Sequence, residues 1–99
     1  MTNLMSTPLD SDQIKLALNG LKRWTYKEDK LLMNINLKNF SEALSFIVKV
    51  GIEAEKLNHH PEIHNIYNQV TLKLTTHDAG NRVTLKDIVL ARAIENLVS

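Results

Sequence analysis

All four histidines of this 99-residue chain fall in one short segment, between residues 59 and 77. His59 and His60 are adjacent and precede Pro61, whereas His77 follows a β-prone stretch. A neutral imidazole has one hydrogen-bond donor and one acceptor, and its ordinary pKa of about 6.5 suits it to give and take protons near neutral pH. Because the chain has no cysteine nucleophile, several such groups around one pocket favour an elimination or an isomerisation.

The composition excludes several other classes of function. Twelve basic and eleven acidic side chains nearly cancel, and no long basic cluster indicates direct binding of nucleic acid. The absence of cysteine excludes disulfides and thiolate sites. No apolar run approaches the roughly 20 residues that span a membrane, and the first residues lack a secretion signal. We therefore expect a cytoplasmic globular protein without membrane contact.

The hydrophobic periodicity predicts seven elements that would position these histidines. A helix over about 10–19 begins with a capping box at Asp10 and Gln13, and the clearest signal is an amphipathic helix over about 40–57. Thr84 and Asp87 resemble the capping box of a last helix. Period-two stretches predict strands over 24–27, 31–38, 63–67 and 70–76.

Two hairpins joined by a long helix predict an α+β fold of order α-β-β-α-β-β-α. We expect one four-stranded antiparallel sheet with three helices on one face, because each strand has a single apolar face. Residues 1–8 are predicted to be a flexible N-terminus, and residues 9–99 a single domain.

The predicted second hairpin brings the histidines together. The start of its first strand and the end of its second are neighbours, so His59 and His60 should meet His77 at one edge of the sheet. His64 lies mid-strand and is interpreted as a surface residue. Three histidines could bind zinc, but no pair has the one-turn helical spacing that is common in catalytic zinc sites. Proton transfer is therefore the favoured interpretation, and we predict no metal.

The segment around the histidines resembles a known family, the pterin-4a-carbinolamine dehydratases. The resemblance extends over about residues 9–97. It is carried by Glu55 to Glu62, Asn65 to Asn68, Val70, Leu72 and Thr75 to His77, with further matches at Trp24, Asn39-Phe40, Ala43, Asp87-Ile88 and Leu90-Ala91.

This resemblance implies a hydro-lyase that removes water from 4a-hydroxytetrahydropterin to give quinonoid dihydropterin. Such an enzyme recycles the pterin cofactor of aromatic amino acid hydroxylases, needs no cofactor of its own and assembles as a homodimer or homotetramer. His59 and His77 are predicted to act on the hydroxyl group, and His60 to bind and orient the pterin.

Six further residues are candidates for binding substrate. Trp24 could stack on the pterin or be an ordinary hairpin aromatic, and Glu62 could bind the pterin amino group or turn the chain. Asp87 could orient an imidazole or cap the last helix. The full set is Trp24, Pro61, Glu62, Thr75, Thr76 and Asp87.

Two other classes of function stay open. The family also includes members that bind a transcription factor and stabilise its dimer, so an interaction scaffold or coactivator is the main alternative. Such a role would use exposed helical surface, for which Leu85 and Ile88 are candidates because they fall off the predicted apolar stripe. A zinc-dependent hydrolase is the weaker alternative.

Overall fold

Two β-hairpins and the helix between them build the fold of this protein. The structure is a computed structural model that describes residues 4–98. The order α-β-β-α-β-β-α and the four-stranded antiparallel sheet confirm the predicted fold class. The elements are α1 (Ser11–Leu18), β1 (Trp24–Lys27), β2 (Lys30–Asn36), α2 (Phe40–Leu57), β3 (Glu62–Ile66), β4 (Gln69–Leu74) and α3 (Leu85–Val98).

The sheet has the strand order β1-β2-β4-β3, and every neighbouring pair is antiparallel. Glu62 at the start of β3 pairs with Lys73 near the end of β4. The chain therefore enters β3 and leaves β4 at the same end of the sheet. This topology brings the segment after α2 next to the segment after β4.

Alternation along the strands gives the sheet two different faces. Residues such as Leu31, Met33 and Leu72 are fully buried and pack with the helices. The opposite face carries Lys73 and its neighbour Glu62, together with other polar side chains, and no helix covers it within residues 4–98. We call this uncovered surface the open face of the sheet. Its polarity follows from the period of two that the strand sequences show.

The start of α2 follows from its sequence. Asn39 accepts a hydrogen bond from the backbone N–H of Glu42 through its side chain and so caps the helix. Ala43, Phe46, Val50 and Ala54 then recur at steps of three and four and form the buried side of α2. The helix covers residues 40–57, as predicted.

The predicted buried stripe of α3 was partly wrong. Ile88 is only 2% exposed and belongs to the core, although the stripe predicted from the sequence left it outside. The helix packs against both α2 and the turn at Leu4–Ser6, so more than one side of it is covered. Leu85 is 40% exposed, in agreement with its position off the stripe. Of the two residues, Leu85 therefore remains a candidate surface contact and Ile88 does not.

The turn of the second hairpin lies one residue earlier than the predicted strands imply, and β4 ends at Leu74, two residues before the predicted end. The turn is Tyr67-Asn68 rather than Asn68-Gln69, since Ile66 pairs directly with Gln69. Tyr67 adopts a left-handed backbone with a φ of 50°, and the Asn65 side-chain amide donates to the carbonyls of Tyr67 and Gln69. An aromatic residue seldom adopts this conformation, so it could not be predicted from the residue type.

The two chain ends lie partly beyond the described region. Residues 1–3 of the predicted flexible N-terminus, and Ser99, are outside the described residues. Leu4–Ser6 form one 3₁₀ turn. Among the described residues, no helix has the length and apolar character needed to cross a membrane.

Candidate active site

The C-terminus of α2 sets the position of His59 and His60. Asn58 ends the helix in the left-handed conformation, with φ 49° and ψ 43°, which asparagine tolerates better than most residues. The N–H of His59 donates to the carbonyl of Ala54 at 3.1 Å, so the chain turns sharply and stays attached to the helix end. Pro61 then disfavours any further helical turn and directs the chain into β3.

A short closed loop holds His77 on the other side of the site. The N–H of Thr76 donates to the carbonyl of Arg82 at 3.0 Å, and the N–H of Asn81 donates back to the carbonyl of Thr76 at 3.1 Å. Gly80 and Asn81 have positive φ angles of 73° and 60°, which suit these two residue types. His77 opens the single 3₁₀ turn of this loop.

The two segments face each other across an open cleft of about 490 Å³. The structure therefore brings His59, His60 and His77 together at one end of the sheet. Seven of the nine predicted site residues line this cleft: His59, His60, Pro61, Glu62, Thr75, Thr76 and His77. Asn58, Asp78 and Lys86 complete the wall.

His59 is the most buried of the three imidazoles and is held by a buried carboxylate. Its Nε2 lies 2.6 Å from Oδ1 of Asp87, and the two side chains are 11% and 0% exposed. Because an ionised carboxylate only accepts hydrogen bonds, Nε2 must carry the hydrogen. The lone pair of the neutral ring then lies on Nδ1.

Asp87 is held in place by donors from three directions. Its Oδ2 accepts from the hydroxyl of Thr76 at 2.8 Å and from the backbone N–H of Thr84 at 2.9 Å. Since the Thr76 hydrogen is used in that bond, the Thr84 hydroxyl must donate to Thr76 Oγ1, which is 2.7 Å away. Thr84 precedes α3, so this carboxylate orients the imidazole and caps the helix at once.

The other two imidazoles also have oxygen partners, but these lie nearer the solvent. Nε2 of His60 is 2.6 Å from Oε1 of Glu55, and these side chains are 58% and 78% exposed. Nδ1 of His77 is 2.6 Å from Oδ1 of Asn81, so this nitrogen is the donor. Each ring therefore has one nitrogen committed to an acceptor and the other left for a ligand.

Trp24 does not reach the cleft. It is 3% exposed and packs in the core, and its Nε1 has no hydrogen-bond partner within residues 4–98. A ring so enclosed offers no face for a pterin to stack on. The suggestion that Trp24 stacks on the substrate is therefore wrong in this structure, because the residue opens β1 on the helix-covered side of the sheet.

Other predicted residues have clear local partners. The hydroxyl of Thr75 donates to the carbonyl of Asp29 at 3.2 Å, across the sheet. Glu62 lies between two lysines, with Nζ of Lys30 at 3.5 Å and Nζ of Lys73 at 3.8 Å. The Glu62 carboxylate is therefore held next to two positive charges.

Glu55 and Asn81 were missed as site residues. Glu55 stands one helical turn before His59, which was a usable signal, although its contact is with His60. Asn81 lies in a turn-forming sequence whose loop closure could not be read from residue types. Across residues 4–98, no three His, Cys, Asp or Glu side chains converge as a metal-ion site.

Comparisons with known proteins agree with this fold. The family model of pterin 4 alpha carbinolamine dehydratase matches residues 7–97. A provisionally named pterin-4-alpha-carbinolamine dehydratase of Opitutus terrae is 46% identical over 93 residues, which cover 94% of this chain and 96% of the relative. A relative from Solibacter usitatus with the same provisional name is 39% identical over 95 residues, covering 96% and 99%.

A solved structure has the same fold. The crystal structure of a transcriptional coactivator/pterin dehydratase from Brucella melitensis superposes with a TM-score of 0.88 at 34% identity, covering 94% of this chain and 100% of that one. Fold and comparisons together define a small α+β hydro-lyase. The chain belongs to the pterin-4-alpha-carbinolamine dehydratase family, which confirms the resemblance found in its sequence.

Proposed function

We propose that this protein eliminates water from 4a-hydroxytetrahydropterin by histidine acid–base catalysis and so returns the pterin cofactor of aromatic amino acid hydroxylases to use. The observation that carries the proposal is the cleft between His59, His60 and His77, in which each ring is oriented by an acceptor oxygen. An elimination of this kind needs proton donors and acceptors held at defined positions.

The reaction needs only proton transfer. The bond between C4a and the hydroxyl oxygen breaks, N5 loses its proton, and a double bond forms between C4a and N5. One proton goes to the leaving oxygen and one is taken from N5, so the products are quinonoid dihydropterin and water. No electrons are gained or lost, and imidazoles can perform both transfers.

We assign the proton given to the leaving hydroxyl to His59. Protonation puts a positive charge on this ring, and the Asp87 carboxylate at 2.6 Å stabilises that charge. His77 contacts the same hydroxyl and takes up the proton of the adjacent N5, since its hydrogen bond to Asn81 leaves Nε2 as the acceptor. His60, held by Glu55 at the more exposed rim, binds and orients the pterin.

The direct test is rapid-mixing absorbance of synthetic 4a-hydroxytetrahydropterin with and without the protein. We expect dehydration well above the spontaneous rate, and a loss of about a hundredfold to ten-thousandfold in kcat for His59→Ala or His77→Ala. His60→Ala should mainly raise KM. A rate equal to the spontaneous one would refute the enzymatic proposal.

An interaction role is the second candidate, and one surface supports it. Leu44, Val48 and Ile52 lie one turn apart on α2 and are 45%, 61% and 52% exposed. Such a stripe suits contact with another chain, either a second copy in a homodimer or homotetramer or a different protein. The Brucella relative is described as a coactivator as well as a dehydratase. A cytoplasmic location stays a prediction from composition.

Two variants separate the two roles. His60→Ala should weaken dehydration by raising KM and leave association through α2 intact, whereas Val48→Lys should weaken association. Sedimentation measures the association of the chain with itself, and stopped-flow absorbance measures turnover.

Metal analysis of the active protein tests the zinc-hydrolase alternative. Stoichiometric zinc that is required for turnover would favour that alternative.

A further inference from the structure

A second cleft of about 310 Å³ adjoins the histidine cleft on the open face of the sheet. Four residues line both clefts, namely His60, Glu62, Thr75 and His77, so the two form one continuous groove. The second cleft is completed by Lys30, Lys73 and Asn81. The proposed dehydratase chemistry uses the histidine wall and leaves the lysine side of the groove unexplained.

The lysine side carries a net positive charge. Glu62 is the acidic residue in the lining of the second cleft, and it lies between the ammonium groups of Lys30 and Lys73. Its contacts of 3.5 and 3.8 Å are longer than a direct charged hydrogen bond of about 2.8 Å, so both ammonium groups keep donors for another acceptor. Lys27 pairs with Lys30 across β1 and β2 and adds a further positive charge to this face, beside the acidic Glu28 of the hairpin turn.

The chemistry of the substrate dictates which part of it enters the second cleft. In a pterin, C4a is bonded to N5, and N5 is bonded to C6. If the histidines act on the C4a hydroxyl and on N5, then any substituent on C6 is attached to an atom only two bonds from the reacting carbon. That substituent therefore starts beside His60 and His77, the rings that line both clefts.

We propose that the second cleft recognises a negatively charged group, a phosphate or a carboxylate, on the C6 substituent of the pterin. Lys30 and Lys73 determine this specificity, and Lys27 strengthens the field. The inference rests on the proposed function, because that function places the pterin ring in the histidine cleft. A neutral substituent would leave these ammonium groups without a new partner, whereas an anion would gain charge-assisted hydrogen bonds.

The test compares the binding of stable, oxidised pterins in pairs of which one member is neutral and the other carries an anionic group on the C6 substituent. One pair is 6-hydroxymethylpterin and its phosphate monoester; the other is pteroic acid and its neutral primary amide. Titration followed by pterin fluorescence gives each Kd without any need for turnover. We expect the anion of each pair to bind about tenfold more tightly, a preference that added KCl reduces.

Substitutions then locate the effect. In Lys30→Gln/Lys73→Gln the ratio of affinities within each pair should fall to about one, whereas Lys49→Gln, an exposed lysine of α2, removes the same type of charge elsewhere and should keep the ratio. Preference in the phosphate pair alone would identify a phosphate site, and preference in the pteroic acid pair alone a carboxylate site.

Equal affinities within both pairs, or a preference that survives the double substitution, would overturn this inference. The outcome is independent of the dehydratase assay with a neutral substrate. If neutral 4a-hydroxytetrahydropterin is dehydrated at an enzymatic rate but the anions gain nothing, only the second cleft has been misassigned. If no dehydration occurs, the proposed function fails whatever the affinities are.

Discussion

Nε2 of His59 lies 2.6 Å from Oδ1 of Asp87, and Asp87 is fully buried in the first turn of α3. The sequence suggested two separate roles for this aspartate, as a helix cap or as a partner of an imidazole. The structure combines them, because its second oxygen accepts the backbone N–H of Thr84. A single carboxylate thus connects the start of a helix to the proposed acid of the reaction.

Asp87→Asn should separate these contributions in a measurable way. The amide keeps the shape of the side chain but cannot accept from both sides, so we expect kcat to fall by about tenfold to a hundredfold with little change in KM. Weaker capping of α3 should cost about 1 kcal/mol of the free energy of unfolding. Turnover kinetics and urea denaturation measure the two effects, and an unaltered kcat in a folded variant would contradict the orienting role.

Glu55→Gln tests the contact at the rim of the cleft. Because the Glu55–His60 pair is exposed to solvent, we expect KM to rise by only about threefold. The kcat should stay close to that of the unaltered protein. Glu53→Gln is the matched control, since it removes an acidic residue of the same helix that pairs with Lys56 instead. Equal effects of the two substitutions would show that Glu55 has no specific role.

Asn81→Gly removes the acceptor of His77 without straining the loop. Glycine adopts the φ of 60° readily, so the fold should be retained while the His77 ring loses its fixed orientation. We expect kcat to fall by about tenfold. Glu28→Gly, at a φ of 52° in the first hairpin, controls for the effect of glycine itself. If both variants have wild-type kcat, Asn81 does not position His77.

Substitution of Trp24 tests its place in the core. Trp24→Ala should lower the free energy of unfolding by about 3–5 kcal/mol, as expected for a large buried side chain. Trp24→Phe should cost less, partly because it removes an indole N–H that is buried without a partner in the described structure. Pterin binding by Trp24→Phe should match that of the unaltered protein, and a large loss would revive the stacking role.

Tyr26 predicts a dependence of stability on pH. Burial of the hydroxyl and its hydrogen bond to Asp29 raise the pKa of Tyr26 above the ordinary value of 10.0. The folded protein then holds this proton more tightly than the unfolded chain, so the contribution is present below pH 10 and is lost as the pH rises through the raised pKa. Tyr26→Phe should flatten this part of the decline in urea denaturation; an identical slope would argue against it.

Strong periodic signals in the sequence predicted the fold well. The apolar repeat of α2 predicted residues 40–57, and pairing of the second hairpin predicted the meeting of His59 with His77. Turn positions were less accurate, since the left-handed conformation of Tyr67 has no counterpart in its residue type. Here tertiary and local hydrogen bonds override intrinsic preference.

Side-chain partners in the site were harder to predict than backbone positions. Asn81 reaches His77 only because the loop closes between Thr76 and Arg82, and that closure depends on hydrogen bonds with no repeating pattern. Trp24 could be assigned to the core or to the cleft on sequence grounds alone. Which face of the sheet it occupies depends on the register with Met33.

The Asp87 network also links catalysis to local motion. If the first turn of α3 frays, Thr84 and Asp87 separate and the His59 ring loses its anchor, even while the rest of the domain stays folded. The most heat-sensitive step in inactivation would then be this small opening rather than global melting. The exchange rates of the backbone amide protons of residues 84–88 would therefore report the fraction of molecules in which this turn is closed and His59 is held for catalysis.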